Sequence, residues 1–83
     1  HHSIIKNNVF VSSHVVISGF CAIGENCFLG VNSTIANNIT VAKDCWIGPS
    51  ALVTKNTEEN QIYRAEISLP AKIGTHRFFK IAD

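Results

Sequence analysis

Charge is scarce in this 83-residue chain and neither sign dominates: 7 basic and 6 acidic residues make up 16% of it and leave a net charge of +1. A surface that binds phosphate backbones needs clustered Lys and Arg, so no nucleic-acid partner is expected. Long apolar runs are missing as well. None approaches the roughly 20 residues of a membrane span, and no charged stretch leading into an apolar one opens the sequence. The expectation is a soluble, cytoplasmic protein without membrane contact. Cysteine is confined to Cys21, Cys27 and Cys45, an odd number spaced by 6 and 18. That fits neither a disulfide framework nor paired metal knuckles, so reduced thiols are expected. With 5 Gly and 2 Pro the chain is no low-complexity linker. What it does have is apolar residues, 46% of the total, in a length that suits one small domain with little core to spare.

Those apolar residues repeat. Ile5, Val11, Ile17, Ile23, Leu29, Ile35, Val41, Ile47 and Val53 are nine aliphatic positions separated by six without a slip. The next residue is mostly small: Ser12, Ser18, Gly24, Gly30, Ala36, Ala42 and Gly48. A second column, Val9, Val15, Cys21, Cys27, Ser33, Ile39, Cys45, Ala51 and Thr57, is small or β-branched and also reads as inward. Six residues match neither a helical turn nor a heptad, but at strand rise they make one short strand and a corner. The corner pairs run from Asn7-Asn8 to Lys55-Asn56 and hold seven of the eight asparagines. Asn is the non-Gly residue that best tolerates left-handed backbone angles.

Three such faces close a triangular coil of 18 residues, in which parallel strands are joined by the 12-residue crossover that parallel pairing requires. The fold expected is all-β, a parallel β-solenoid of about three 18-residue coils over residues 1–57, with a C-terminal capping tail over 58–83. Residues 18 apart stack, which puts Phe10, Phe28 and Trp46 in one outward ladder. Spacing does not give handedness; general crossover rules favour right-handed connections. A coil that opens at His1 has an unpaired edge, so further residues are expected upstream in the native product.

The segments Ile23-Gly24-Glu25-Asn26-Cys27-Phe28-Leu29-Gly30 and Trp46-Ile47-Gly48-Pro49-Ser50-Ala51-Leu52-Val53-Thr54 resemble the hexapeptide-repeat acyltransferases. The chain is most similar within them to sugar acetyltransferases of the sialic-acid and bacillosamine type. The resemblance implies a left-handed parallel β-helix, a homotrimer with sites between subunits, acetyl-CoA as co-substrate, a sugar acceptor and no metal. It makes His1, in His1-His2-Ser3-Ile4-Ile5, the catalytic base, and Gly19, one coil on, the residue whose backbone N–H meets the oxyanion. His2 stands where relatives carry an acid. Its implied coenzyme A contacts are Val31 and Pro49, and Phe10 where relatives can have a histidine.

Each site residue has a plainer reading. His-His-Ser at a chain start is also what a purification tag leaves. Gly19 also reads as a corner glycine chosen for its backbone angle, and Phe10, Val31 and Pro49 as ladder or corner residues. His14, the other candidate base, reads as a solvated turn residue, the cysteines as packing, and Lys43 and Lys55, which could meet coenzyme A phosphates, as solubilising lysines. Pro70-Ala71-Lys72 echoes the closing segment of the family, and residues 76–83 fit a short helix or a strand equally. Two other functions suit such a coil: a non-catalytic trimerising solenoid within a larger enzyme, and a metalloenzyme of the gamma carbonic anhydrase type, which needs three histidines.

Overall fold

A computed structural model describes residues 2–80. Nine two-residue strands follow one another at intervals of six: β1 (Ile4–Ile5), β2 (Phe10–Val11), β3 (Val16–Ile17), β4 (Ala22–Ile23), β5 (Phe28–Leu29), β6 (Thr34–Ile35), β7 (Thr40–Val41), β8 (Trp46–Ile47) and β9 (Leu52–Val53). They stack into three parallel sheets, β1-β4-β7, β2-β5-β8 and β3-β6-β9, with residues 18 apart in register. The chain is a left-handed parallel β-helix. The right-handed crossover rule draws its force from twisted strands feeding a helix. Two-residue strands carry little twist, and no helix lies between them.

Each strand sends one side chain in and one out, as its alternation demands. The inward ones, Ile23, Leu29, Ile35, Val41 and Ile47, are fully buried, and Cys21, Cys27, Ile39, Cys45, Ala51 and Val53 complete the core. In the first coil the same columns stay open: Ile5 and Val11 are 50% and 41% exposed, because β1 and β2 are sheet edges. Between coils the backbone N–H of a strand's first residue donates to a carbonyl 17 positions on, as in Ile4 to Cys21 (2.8 Å) and Phe28 to Cys45 (3.0 Å). Within the second inward column, side chains add further bonds. Ser3 Oγ donates to the Ser18 carbonyl (2.9 Å), and the thiols of Cys21 and Cys27 donate to those of Ala36 (3.0 Å) and Ala42 (3.1 Å).

Sheet pairing runs past residue 57, where the six-residue frame stops. A tenth strand, β10 (Ile62–Tyr63), adds to β8 with Ile62 opposite Trp46, an offset of 16 instead of 18. The fourth passage over the first sheet is therefore short, and side chains stand in for the missing strand there. Asn56 Oδ1 accepts from the Thr40 N–H (2.8 Å) and Thr57 Oγ1 from the Ala42 N–H (2.8 Å), while Tyr63 Oη accepts from the Glu58 N–H (3.0 Å). Residues 56–63 thus cap the solenoid. Residues 64–80 are exposed throughout, and they contain one short helix, α1 (Thr75–Phe79). Residues 81–83 of the undecided segment lie outside the described residues. No helix among the described residues is long and apolar enough to cross a membrane.

Candidate functional site

Three edges run along the prism, each a stack of corners in which the second residue takes a left-handed backbone angle. Asn8, Asn26, Asp44 and Asn60 do so between the first and second sheets, His14, Asn32 and Ser50 between the second and third, and His2, Phe20 and Asn38 between the third and first, all with φ between 54° and 62°. The first of these edges is laced by side chains: Asn8 Nδ2 donates to Asn26 Oδ1 (2.7 Å) and Asn26 Nδ2 to Asp44 Oδ1 (3.1 Å).

The edge from the third sheet to the first carries the residues expected to do chemistry. His1 lies outside the described residues. His2 is exposed, and its ring stacks on Phe20 at 5.6 Å between centroids and 22° between planes. Gly19 follows one coil after position 1, but not for its backbone angle: among the described residues no glycine has positive φ, and Phe20 takes the left-handed position of that corner. The Gly19 N–H, the expected oxyanion donor, is already engaged, donating to Asn37 Oδ1 at 2.9 Å. Its carbonyl accepts from the Asn38 N–H (3.0 Å).

The expected coenzyme contacts lie elsewhere. Phe10 stacks on Phe28 (5.4 Å) and Phe28 on Trp46 (5.3 Å), a ladder on the outer face of the second sheet. Val31 and Pro49 stack at the exit corner of that sheet, where the Val31 carbonyl accepts from the Ser50 N–H (2.9 Å). Phe10, Val31 and Pro49 therefore share one side of the prism while Gly19 sits on a different edge, so a single chain does not bring the two sets together. His14 is an exposed member of the corner column with Asn32 and Ser50.

At the C-terminal end of the coil the sequence pointed to Lys55 but not to Tyr63 or Arg64. A hollow of about 350 Å³ there is lined by Leu52, Thr54, Lys55, Asn56, Tyr63 and Arg64. It holds two cations and no acid, and Lys55 continues the column of Gly19 and Asn37. Arg64 and Tyr63 escaped because the six-residue frame had ended. The available signal was Asn60, the eighth asparagine, which takes the left-handed corner angle after a shortened coil.

The cysteines are all buried and free. Burial pushes the Cys27 thiol above its ordinary value, so it stays protonated and unreactive at neutral pH. Among the described residues no three His, Cys, Asp or Glu side chains gather in a group that could hold a metal ion.

Comparison with known families matches residues 2–37 to the bacterial transferase hexapeptide (six repeats). The matched stretch covers less than half of the chain and spans two of the solenoid's coils, whose six-residue spacing is similar to the repeats of that family. No curated protein matches the chain.

Proposed function

We propose that the chain is the solenoid of an acetyl-CoA-dependent acyltransferase that acetylates a sugar amine or hydroxyl, on a nucleotide-linked amino sugar, and that it acts as a homotrimer with its sites between subunits. The observation that carries this reading is the six-repeat transferase match over residues 2–37, lying on a three-sided parallel coil. The layout of one chain supports an assembly of copies. Gly19 stands on one edge and Phe10, Val31 and Pro49 on another side, and facing copies bring such surfaces together. Packing between copies also covers an aromatic ladder that is otherwise wet, Phe10 being 60% exposed and Trp46 41%.

Acetyl-CoA supplies an acetyl group activated as a thioester. His1 takes the proton from the attacking amine or hydroxyl and returns it to the departing thiolate as the C–S bond of the thioester breaks, work that suits an imidazole. The Gly19 N–H meets the negative charge that develops on the carbonyl oxygen, which requires Asn37 to turn its amide aside. The residues present fit the co-substrate: Phe10, Val31 and Pro49 offer an apolar run to its arm, and Lys55 and Arg64 offer cations to its phosphates at the C-terminal end. The test is acetyl-CoA-dependent thiol release with UDP- and CMP-linked amino sugars, for the wild-type chain and for His1→Ala. Release that His1→Ala abolishes supports the transferase and its base together; release unchanged in His1→Ala removes His1 from that role.

A second reading, a non-catalytic solenoid that assembles copies of a larger enzyme, is favoured by one observation, the prior engagement of the Gly19 N–H by Asn37. It expects no acetyl transfer and no calorimetric binding of coenzyme A.

A further inference from the structure

The corners contain an internal control. From His2 to Asn60 ten corner residues adopt φ between 54° and 62°, and nine of them are Asn, His, Asp or Ser. Such residues tolerate the left-handed region through short side chains or local hydrogen bonds. The tenth is Phe20, φ 60°. A bulky aromatic in that region is strained, and burial within one chain does not compensate it, since Phe20 is 64% exposed there. A corner built for stability alone would carry Asn, as the next corner of the same edge does with Asn38.

What Phe20 does contact is an imidazole. Its ring lies nearly parallel to that of His2 at 5.6 Å, a geometry that covers one face of the His2 ring and leaves hydrogen bonding to its ring nitrogens, which lie in the ring plane. The pair is also adjacent in sequence to both residues expected to act on the acceptor, since His2 follows His1 and Phe20 follows Gly19. Strain at a place where every equivalent corner avoids it, coupled to a stacked and accessible imidazole, marks a position selected for function over stability.

We propose that Phe20 is a positioning residue: it pins the His2 imidazole beside the candidate catalytic edge, where His2 hydrogen-bonds the acceptor. The kinetic part rests on the acyltransferase reading; the positioning part does not.

The experiment compares the wild-type chain with Phe20→Asn and Phe20→Tyr in three readouts: thermal melting, NMR of the His2 ring protons, and acetyl-transfer kinetics. Phe20→Asn is expected to melt at or above the wild-type temperature, because Asn suits the angle. In wild type the His2 ring protons are expected upfield, in the ring current of Phe20, and in Phe20→Asn at free-peptide positions. kcat is expected to fall about tenfold or more with KM for acetyl-CoA unchanged, and Phe20→Tyr to restore both the shifts and kcat. Phe20→Asn melting well below wild type would make Phe20 structural and overturn the proposal. So would His2 signals that ignore the substitution, or full kcat in Phe20→Asn. A wild-type chain with no acetyl transfer overturns the acyltransferase reading alone; melting and the His2 shifts then still decide whether Phe20 was kept to hold His2.

Discussion

At the scale of single residues, the second inward column shows how a buried polar atom is tolerated, and where it is not. Ser3, Cys21 and Cys27 each donate to a carbonyl 15 residues on, and Cys45 to the Glu58 carbonyl 13 on, across the shortened coil. Ser33 occupies the same column, fully buried, and its Oγ has no partner. The equivalent acceptor, the Gly48 carbonyl, already accepts from the Ala51 N–H (3.2 Å). Its column neighbours, Val15 and Ala51, are apolar. Ser33→Ala removes an unpaired hydroxyl and little volume, so it is expected to raise unfolding stability by about 1 kcal/mol in a denaturant titration. A loss of stability would mean that the hydroxyl is satisfied in solution. Nothing in the sequence distinguishes Ser33 from Ser3; the difference lies in which carbonyl of the next coil is free.

At the scale of the element, a two-residue strand has almost no stability of its own, and the corner between strands decides how closely coils approach. Gly30 shows the constraint. A Cβ there would lie 2.6 Å from the Pro49 nitrogen and 2.8 Å from the Gly48 carbonyl carbon, both backbone, so the neighbouring coil would have to shift. Gly30→Ala is expected to cost about 2–3 kcal/mol, read from the urea midpoint. Gly74→Ala serves as the control, because nothing stands within 4 Å of its Cβ position and no measurable change is expected. A Gly30→Ala protein as stable as wild type would show that the coils can separate without loss. The small residue after each inward aliphatic was visible in the sequence, and so was its reason, close stacking. The tenth strand was not visible: Ile62 and Tyr63 pair with β8 at an offset of 16, and no fixed period reveals an element that breaks the period.

At the scale of the whole molecule, the chain is elongated. Its radius of gyration is 16.1 Å and its extents are 55 × 24 × 22 Å, against a radius of about 12 Å for a compact chain of this length. The ladder on the second sheet is an ordered apolar feature outside the core, and the proposed trimer buries it. Sedimentation equilibrium is expected to give the mass of three chains for wild type and of one chain for Phe10→Lys, a change at an exposed first-coil position that leaves the solenoid folded. A trimer that survives Phe10→Lys would move the interface off the ladder. The three faces, the inward columns and the corners were legible from the chain alone, because a six-residue period leaves a strand only one way to alternate and asparagine marks each turn. The location of Gly19, Phe10, Val31 and Pro49 in their columns followed from the same arithmetic. Other features depended on contacts between coils, which a linear pattern does not contain: the hydrogen bond that ties up the Gly19 N–H, the stacking of His2 on Phe20, the side-chain caps of Asn56 and Thr57, and the hollow at Lys55 and Arg64. Each depends on the orientation of one side chain toward a residue 15 to 18 positions away or beyond the last regular coil, and that orientation is set by packing in three dimensions.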